Sequence, residues 1–399
     1  MKRWVALLAV VAMGVLAGCG GQSQKPAASS QPASGSQQQP AAQGGGEKVI
    51  KIGLIAPLTG DVKTFGESTK NGFLLALEQA GFKAGDYKIE YTIADDRNDA
   101  TEGVNIATKM ITQDKVKAIV GSVTSKVTIP VSEIANQNKV VLVTGTATNP
   151  KVTVGEDGKR KPFAFRACFI DPFQGTVGAR FALDNLKVKT AAIIYDKGND
   201  YTVGLAQFFK EAFEKGGGKV VAEETYTEKD TDFSAILTKV AQAKPEMLYL
   251  PDYYQKVSLI GKQAKEKGLN VPMMGGDGWD SAELDYQALA GGYFTNHYSS
   301  DDPREEVQKF VKDYQGKYGS KPDALAALAY DATNILLEGI RRANSDDTEK
   351  IREAIQGLKD FGTVSGKVTF DQNGNPIKPA VILQVQPDKT QKYIATVNP

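Results

Sequence analysis

The chain has 399 residues, 41% hydrophobic and 24% charged, with 48 Lys+Arg against 47 Asp+Glu. That length and composition suit two globular domains, and the balanced charge argues against a nucleic-acid surface or an acidic solvating tail. Two cysteines and one histidine leave too few ligands for a structural zinc site and a single imidazole for any Ser-His or Cys-His catalyst.

The N-terminus, "MKRWVALLAVVAMGVLAGC", sets Lys2 and Arg3 before a short apolar run and small residues. This is the plan of a secretory signal, and the run is short for a membrane span. Residues 1–18 are therefore expected to be a signal peptide. "LAGC" resembles the bacterial lipobox, which implies that Cys19 is lipidated and becomes the first mature residue. Residues 19–46 then form the lipidated Cys and a tether. "GGQSQKPAASSQPASGSQQQPAAQGGG" holds nothing that burial could use to offset ordering entropy, and a flexible chain of that length reaches roughly 30 Å. With Cys19 lipidated, Cys168 has no intrachain partner and reads as a small buried hydrophobe.

From Val49 onward β-branched runs alternate with amphipathic stretches. Strands are expected at 49–56, 88–95, 117–121, 140–145, 190–196, 219–226, 246–251 and 271–276. "TEGVNIATKMIT", with Val104, Ala107 and Ile111, and "DFSAILTKVAQA", with Phe233, Ile236, Leu237 and Val240, carry helical spacing. The alternation predicts an α/β protein of two doubly wound parallel-sheet lobes. Long helices follow in "PREEVQKFVKDYQGKYG" and "LAALAYDATNILLEGIRRA", then strand-like "KVTF", "AVILQV" and "KYIATV". A tail without a linker fits a chain crossing back between lobes. The expected division is 47–169 plus 301–371 for an N-terminal lobe and 170–300 plus 372–399 for a C-terminal lobe, with a three-crossover hinge and a ligand cleft between them.

The candidate chemistry gathers in six loops, each after an expected strand: "PLTGDVKTFG", "GSVTSK", "TGTATNP", "DKGNDYTVG", "PDYYQ" and "GGDGWDS". Any one of them is ordinary turn and N-cap chemistry. All six together, in two lobes, mark the strand ends where open α/β sheets bind ligands. Ser125, Thr146 and Thr148 offer uncharged donors beside helix N-termini, which suits a carboxylate. Tyr201, Tyr253 and Tyr254 offer aromatic walls with polar tips. Asp277, between glycines, offers one negative charge, and no partner acid, base or metal ligand is expected to accompany it. These two half-sites describe a zwitterion such as an α-amino acid.

Segments "KIGLIAPLTGDVKTFG", "GSVTSKVTIPVSEIA", "GTATNP", "FRACFIDPFQG", "DKGNDYTVG", "DYY" and "GGDGW" together resemble the leucine/isoleucine/valine-binding family of substrate-binding proteins of bacterial ABC transporters. The resemblance covers the chain after the tether and implies the type I periplasmic-binding fold. It places a carboxylate-binding serine on Ser125, an ammonium-binding carbonyl and a carboxylate-binding threonine on Thr146 and Thr148, pocket tyrosines on Tyr201 and Tyr253, and the ammonium's counter-charge on Asp277. Two departures stand out. Asp277 replaces a glutamate, and Phe65 replaces a pocket tyrosine and loses a hydroxyl. A disulfide found near the pocket in some members is absent, its places falling around Asn98 and on Thr124.

The resulting expectation is an amino-acid-binding lipoprotein, anchored by lipid at the outer face of the cytoplasmic membrane. It is monomeric, has no cofactor or metal, and serves ABC transporter permease subunits. Competing readings are a same-fold binder of an amide, urea or aromatic acid, and a sensing subunit for a signalling partner. An enzyme is disfavoured. Ser125 sits in "VTSKV" rather than a G-x-S-x-G elbow, no nucleotide motif is present, and His297 reads as a structural or hinge-side residue.

Overall fold

The structure is a computed structural model that describes residues 47–399. The expected signal peptide, Cys19 and the whole tether lie outside the described residues. Among the described residues no helix is long and apolar enough to cross a membrane.

The chain first lays down β1 (Val49–Ala56), α1 (Lys63–Gln79), β2 (Lys83–Ala84), β3 (Tyr87–Asp95), α2 (Ala100–Thr112), β4 (Ala118–Gly121), α3 (Ser125–Gln137), β5 (Val141–Thr144) and β6 (Ala164–Arg166). It then forms α4 (Asp171–Arg180), β7 (Thr190–Asp196), α5 (Asp200–Lys215), β8 (Lys219–Tyr226), α6 (Ser234–Ala243), β9 (Met247–Tyr249), α7 (Tyr254–Glu266), β10 (Met273–Gly275) and β11 (Tyr293–Asn296). It closes with α8 (Glu305–Tyr318), α9 (Ala324–Ala343), α10 (Thr348–Gln356), β12 (Phe361–Thr363), β13 (Gly366–Val368), β14 (Ala380–Val385) and β15 (Gln391–Val397).

These strands build two large sheets. One runs β2-β3-β1-β4-β5-β6 and the other β15-β14-β11-β10-β9-β7-β8. Strand β1 lies between β3 and β4, in parallel register with both. Covered on both faces, it reads as a nearly continuous apolar run, and Ile50, Ile52, Leu54, Ile55 and Ala56 are fully buried. Strands β7 to β11 are also parallel.

The sheets are not wholly parallel, as the alternation alone suggested. Strand β2 runs antiparallel to β3, and β14 and β15 form an antiparallel edge on β11. Short turns join β2 to β3 and β14 to β15, a connection open only to antiparallel strands, whereas β14 reaches β11 by the last crossing of the chain. At the β14–β15 turn Gln386 N donates to Thr390 O at 3.0 Å. The "KVTF" stretch joins neither sheet, since β13 pairs with β12 in a separate ribbon.

The chain passes from one sheet to the other between β6 and α4, between β11 and α8, and between β13 and β14. On its return α9 packs against α1, β4 and β5. The approach is close enough that a Cβ on Gly72 of α1 would lie 2.2 Å from the Ala326 carbonyl oxygen, so only glycine fits there. The buried face of α2 is formed by Gly103, Ala107 and Met110. That is rotated from the Val104, Ala107, Ile111 stripe, of which Ala107 alone is fully covered.

Candidate functional site

One wall of the site comes from the ends of β4 and β5. Gly121 ends β4 at φ +106°, where a Cβ would fall 2.2 Å from the Ile55 carbonyl oxygen. The chain then turns at once into α3, whose first residue is Ser125. The Ser125 hydroxyl accepts from Asn149 N at 3.2 Å, and Thr146 Oγ1 donates to the Val123 carbonyl at 2.9 Å. Both hydroxyls sit at the N-terminus of a three-turn helix, where free backbone N–H groups and the helix dipole favour an anion. Buried Arg166, at the end of β6, shapes this loop: Nη1 donates to Ala147 O at 2.7 Å and Nη2 to Asn149 O at 2.9 Å. Where the resemblance places a disulfide in some relatives, Thr124 Oγ1 donates to Asn98 Oδ1 at 2.7 Å. Cys168 is buried, and burial pushes its thiol up to about 12.

The other wall comes from the ends of β7, β9 and β10. Asp277 opens a single turn of 3-10 helix, Asp277–Trp279. Trp279 is fully buried beneath it, and its indole N–H donates to Leu250 O at 3.0 Å. The preceding glycines are demanded by crowding, since a Cβ on Gly275 would lie 2.1 Å from Trp279 Nε1 and one on Gly276 2.6 Å from Tyr201 Oη.

Asp277 Oδ1 accepts from Gln174 Nε2 at 2.8 Å and from the Tyr201 hydroxyl at 2.9 Å, and Oδ2 accepts from His297 Nε2 at 2.9 Å. Tyr201 stacks on Tyr253 with centroids 5.2 Å apart and planes 4° apart. Phe65, from α1, meets Tyr253 edge-on at 5.6 Å. Burial holds both tyrosine hydroxyls well above their usual range, so they remain neutral donors.

The two walls enclose a narrow cavity lined by Phe65, Val123, Thr124, Ser125, Thr146, Tyr201, Tyr253, Asp277, Gly278 and Leu325. About 20 Å³ of it is free to a water-sized sphere, room for roughly one water molecule. Six of the expected residues, Phe65, Ser125, Thr146, Tyr201, Tyr253 and Asp277, therefore meet around one space.

Thr148 does not line it. Its side chain is fully buried against the start of α4, where its carbonyl accepts from Asp171 N at 3.0 Å. Val123 and Leu325 were not singled out from sequence, and Thr124 was named only as a place of the absent disulfide. Val123 and Thr124 immediately precede Ser125, and Leu325 arrives from α9 after the second crossing of the chain.

One further reading is corrected and another made more specific. Asp277 is not unaccompanied, because Gln174, Tyr201 and His297 converge on it from separate elements. His297, read from sequence as a structural or hinge-side residue, does not line the cavity but packs behind Asp277. It is 3% exposed and stacks on Phe169 with centroids 3.8 Å apart.

Ser125 has no hydrogen bond to an imidazole, and the chain's one histidine spends Nε2 on Asp277. Among the described residues no group of three or more His, Cys, Asp or Glu is placed to hold a metal. What the arrangement offers is a hydroxyl and amide wall facing a carboxylate wall, with apolar Phe65, Val123 and Leu325 between them.

The sequence matches the periplasmic binding protein family over residues 49–391. It is 35% identical over 332 residues to a Leu/Ile/Val-binding protein of Rhizobium johnstonii, covering 82% of this chain and 88% of the relative. A Leu-, Ile-, Val-, Thr- and Ala-binding protein of Pseudomonas aeruginosa is 31% identical, with 82% of this chain and 87% of the relative covered. Among solved structures, a leucine-binding protein of Thermotoga maritima superposes with a TM-score of 0.84 at 38% identity, covering 88% of this chain and 99% of that one. A branched-chain amino acid transporter substrate-binding protein of Streptococcus pneumoniae, in complex with isoleucine, gives 0.80 at 29% identity, with 88% and 100% covered.

Proposed function

The chain belongs to the periplasmic binding protein family, and from that premise we propose that it is an extracytoplasmic lipoprotein that captures a branched-chain or other aliphatic α-amino acid and delivers it to an ABC transporter permease. The observation that carries this reading is the pairing of opposite half-sites around one apolar cavity. Ser125, at the start of α3, suits the ligand's α-carboxylate, and Asp277 suits its α-ammonium. The side chain would lie among Phe65, Val123 and Leu325. These three apolar side chains leave no spare charge for an acidic or basic amino acid.

The relatives' printed ligands support the same class. Each lobe would contribute one wall, with residues 47–169 and 301–371 in the first and 170–300 and 372–399 in the second. Ligand would then hold the lobes together in the form a permease recognises. Lipidated Cys19 and the tether would keep the monomer near the membrane.

A thermal-shift panel of leucine, isoleucine, valine, glutamine, urea and benzoate tests the reading. A binder with a Kd near 1 μM gains about 4 kcal/mol of stability at 1 mM ligand. The aliphatic amino acids should give the largest shifts. Benzoate and urea lack an ammonium, and the largest shift with either would overturn the proposal.

A further inference from the structure

His297 presses on the one carboxylate that the ligand would need. Its Nε2 lies 2.9 Å from Asp277 Oδ2, and the imidazole is covered by the ring of Phe169. A carboxylate only accepts, so the contact fixes the tautomer with the proton on Nε2. Asp277 Oδ1 is already occupied by Gln174 and Tyr201. What remains of its accepting capacity is shared between the imidazole and the cavity.

We propose that His297 is a positioning residue that competes with the ligand's ammonium for Asp277 and so sets the acid limit of binding. This rests on the amino-acid reading above. A neutral imidazole contributes one N–H dipole and leaves the carboxylate's charge for the ammonium. An imidazolium neutralises that charge from behind, and the ammonium then meets a pair with no net charge.

The other charged or titratable groups facing His297 do not take over this role. Lys378, on the segment before β14, donates to Ala167 O at 3.0 Å and contacts Ser365. Burial brings its ammonium down only to about 8, so it stays charged throughout the acid range. Asp280 is held by Asn296 Nδ2 at 2.8 Å, Ala324 N at 2.8 Å and Gln391 Nε2 at 2.7 Å. The sign follows from burial. Desolvation lowers His297 from 6.5, with the Asp277 hydrogen bond opposing it. The loss of affinity therefore falls below pH 6.5, and affinity is full above it.

Coupling between the two sites is reciprocal. If a proton on His297 weakens ligand, ligand must weaken the proton. The chain has one histidine, so tag-free protein shows one imidazole C2–H resonance in a proton NMR titration. With isoleucine saturating, its midpoint should move down by about half a pH unit or more. By calorimetry, parental affinity for isoleucine should fall below the free-protein midpoint by up to about tenfold per pH unit. His297→Gln keeps a neutral donor toward Asp277. It should bind within about threefold of the parent at pH 7.5 and lose that acid dependence. An imidazole titration unmoved by isoleucine, or a His297→Gln pH profile that tracks the parent's, overturns the inference while leaving amino-acid binding intact. Failure of the parent to bind any amino acid at any pH would overturn the functional reading, and this inference with it.

Discussion

The hydroxyl oxygens of Thr64 and Ser281 lie 2.9 Å apart, joining α1 beside the first sheet to the segment that follows β10 of the second. Neighbouring contacts make the same connection. The Tyr254 hydroxyl donates to Asp61 O at 3.0 Å, Asn149 Nδ2 donates to Asp200 O at 2.8 Å, and Phe65 packs edge-on against Tyr254 at 5.2 Å. Exposed pairs Lys63–Glu283 and Lys126–Glu228 add little. Behind them the cavity is nearly filled, so an amino acid enters only if the walls part. Small-angle scattering should give a larger radius of gyration for ligand-free protein than for protein saturated with isoleucine. Equal radii, with binding confirmed, would count against hinged closure.

Ser125→Ala removes a donor to the ligand's carboxylate, so affinity for isoleucine should drop by about 1.5–3 kcal/mol, the range for a hydrogen bond to a charged group. The same hydroxyl also accepts from Asn149 N and is 2% exposed. A stability loss of about 1 kcal/mol should therefore accompany the affinity loss. Calorimetry and urea unfolding on one preparation check both, and parental affinity would remove Ser125 from the site.

Stability should decline from mildly acidic to mildly alkaline pH. Burial raises Asp96 to about 6, Asp252 and Asp323 to about 7, and Asp171 to about 8. Each raised group takes up protons on folding, so its stabilising contribution is complete below about 4, the unfolded value, and lost as pH rises through the folded one. Asp171 is fully buried, and burial outweighs the nearby Thr148 hydroxyl in raising it. Asp171→Asn should flatten the slope of the unfolding midpoint between pH 5 and 8. A parental slope in that variant would show that Asp171 does not titrate there.

Membrane-bound protein from the native host should start at Cys19 and carry its lipid mass. Mass spectrometry of the mature N-terminus checks this, and an intact Met1 or a start elsewhere would remove the anchor from the proposal.

Much of the framework was legible because long β-branched runs leave little choice. The strands at 49–56, 190–196, 219–226 and 380–385 begin and end where the apolar pattern does. Strand β6 was missed because "AFR" is three residues ending in arginine. Arg166 is tolerated there because two loop carbonyls receive its guanidinium, a tertiary fact with no local signature. Five of the six cavity residues came from counting strand ends, since every such loop faces the same side of its sheet, and Phe65 came from the family resemblance alone. Thr148 was misplaced because the loop turns it inward, away from the cavity. The cluster around Asp277 was invisible for a different reason. Gln174 and His297 stand beside the first and second of the three chain crossings, and only the fold brings them to one carboxylate.

The central claim is that Asp277 answers the ligand's ammonium. Its most direct test is a thermodynamic cycle measured by calorimetry at pH 7.5. The parent and Asp277→Asn are each titrated with isoleucine and with 3-methylpentanoate, which lacks the amino group. Removing one partner of a buried charged pair costs about 2–5 kcal/mol. Isoleucine should therefore lose roughly thirtyfold or more in affinity in the variant, while 3-methylpentanoate should bind the variant as well as or better than the parent. The two changes would then be strongly non-additive. Equal losses for the two ligands, or none for isoleucine, would contradict the account.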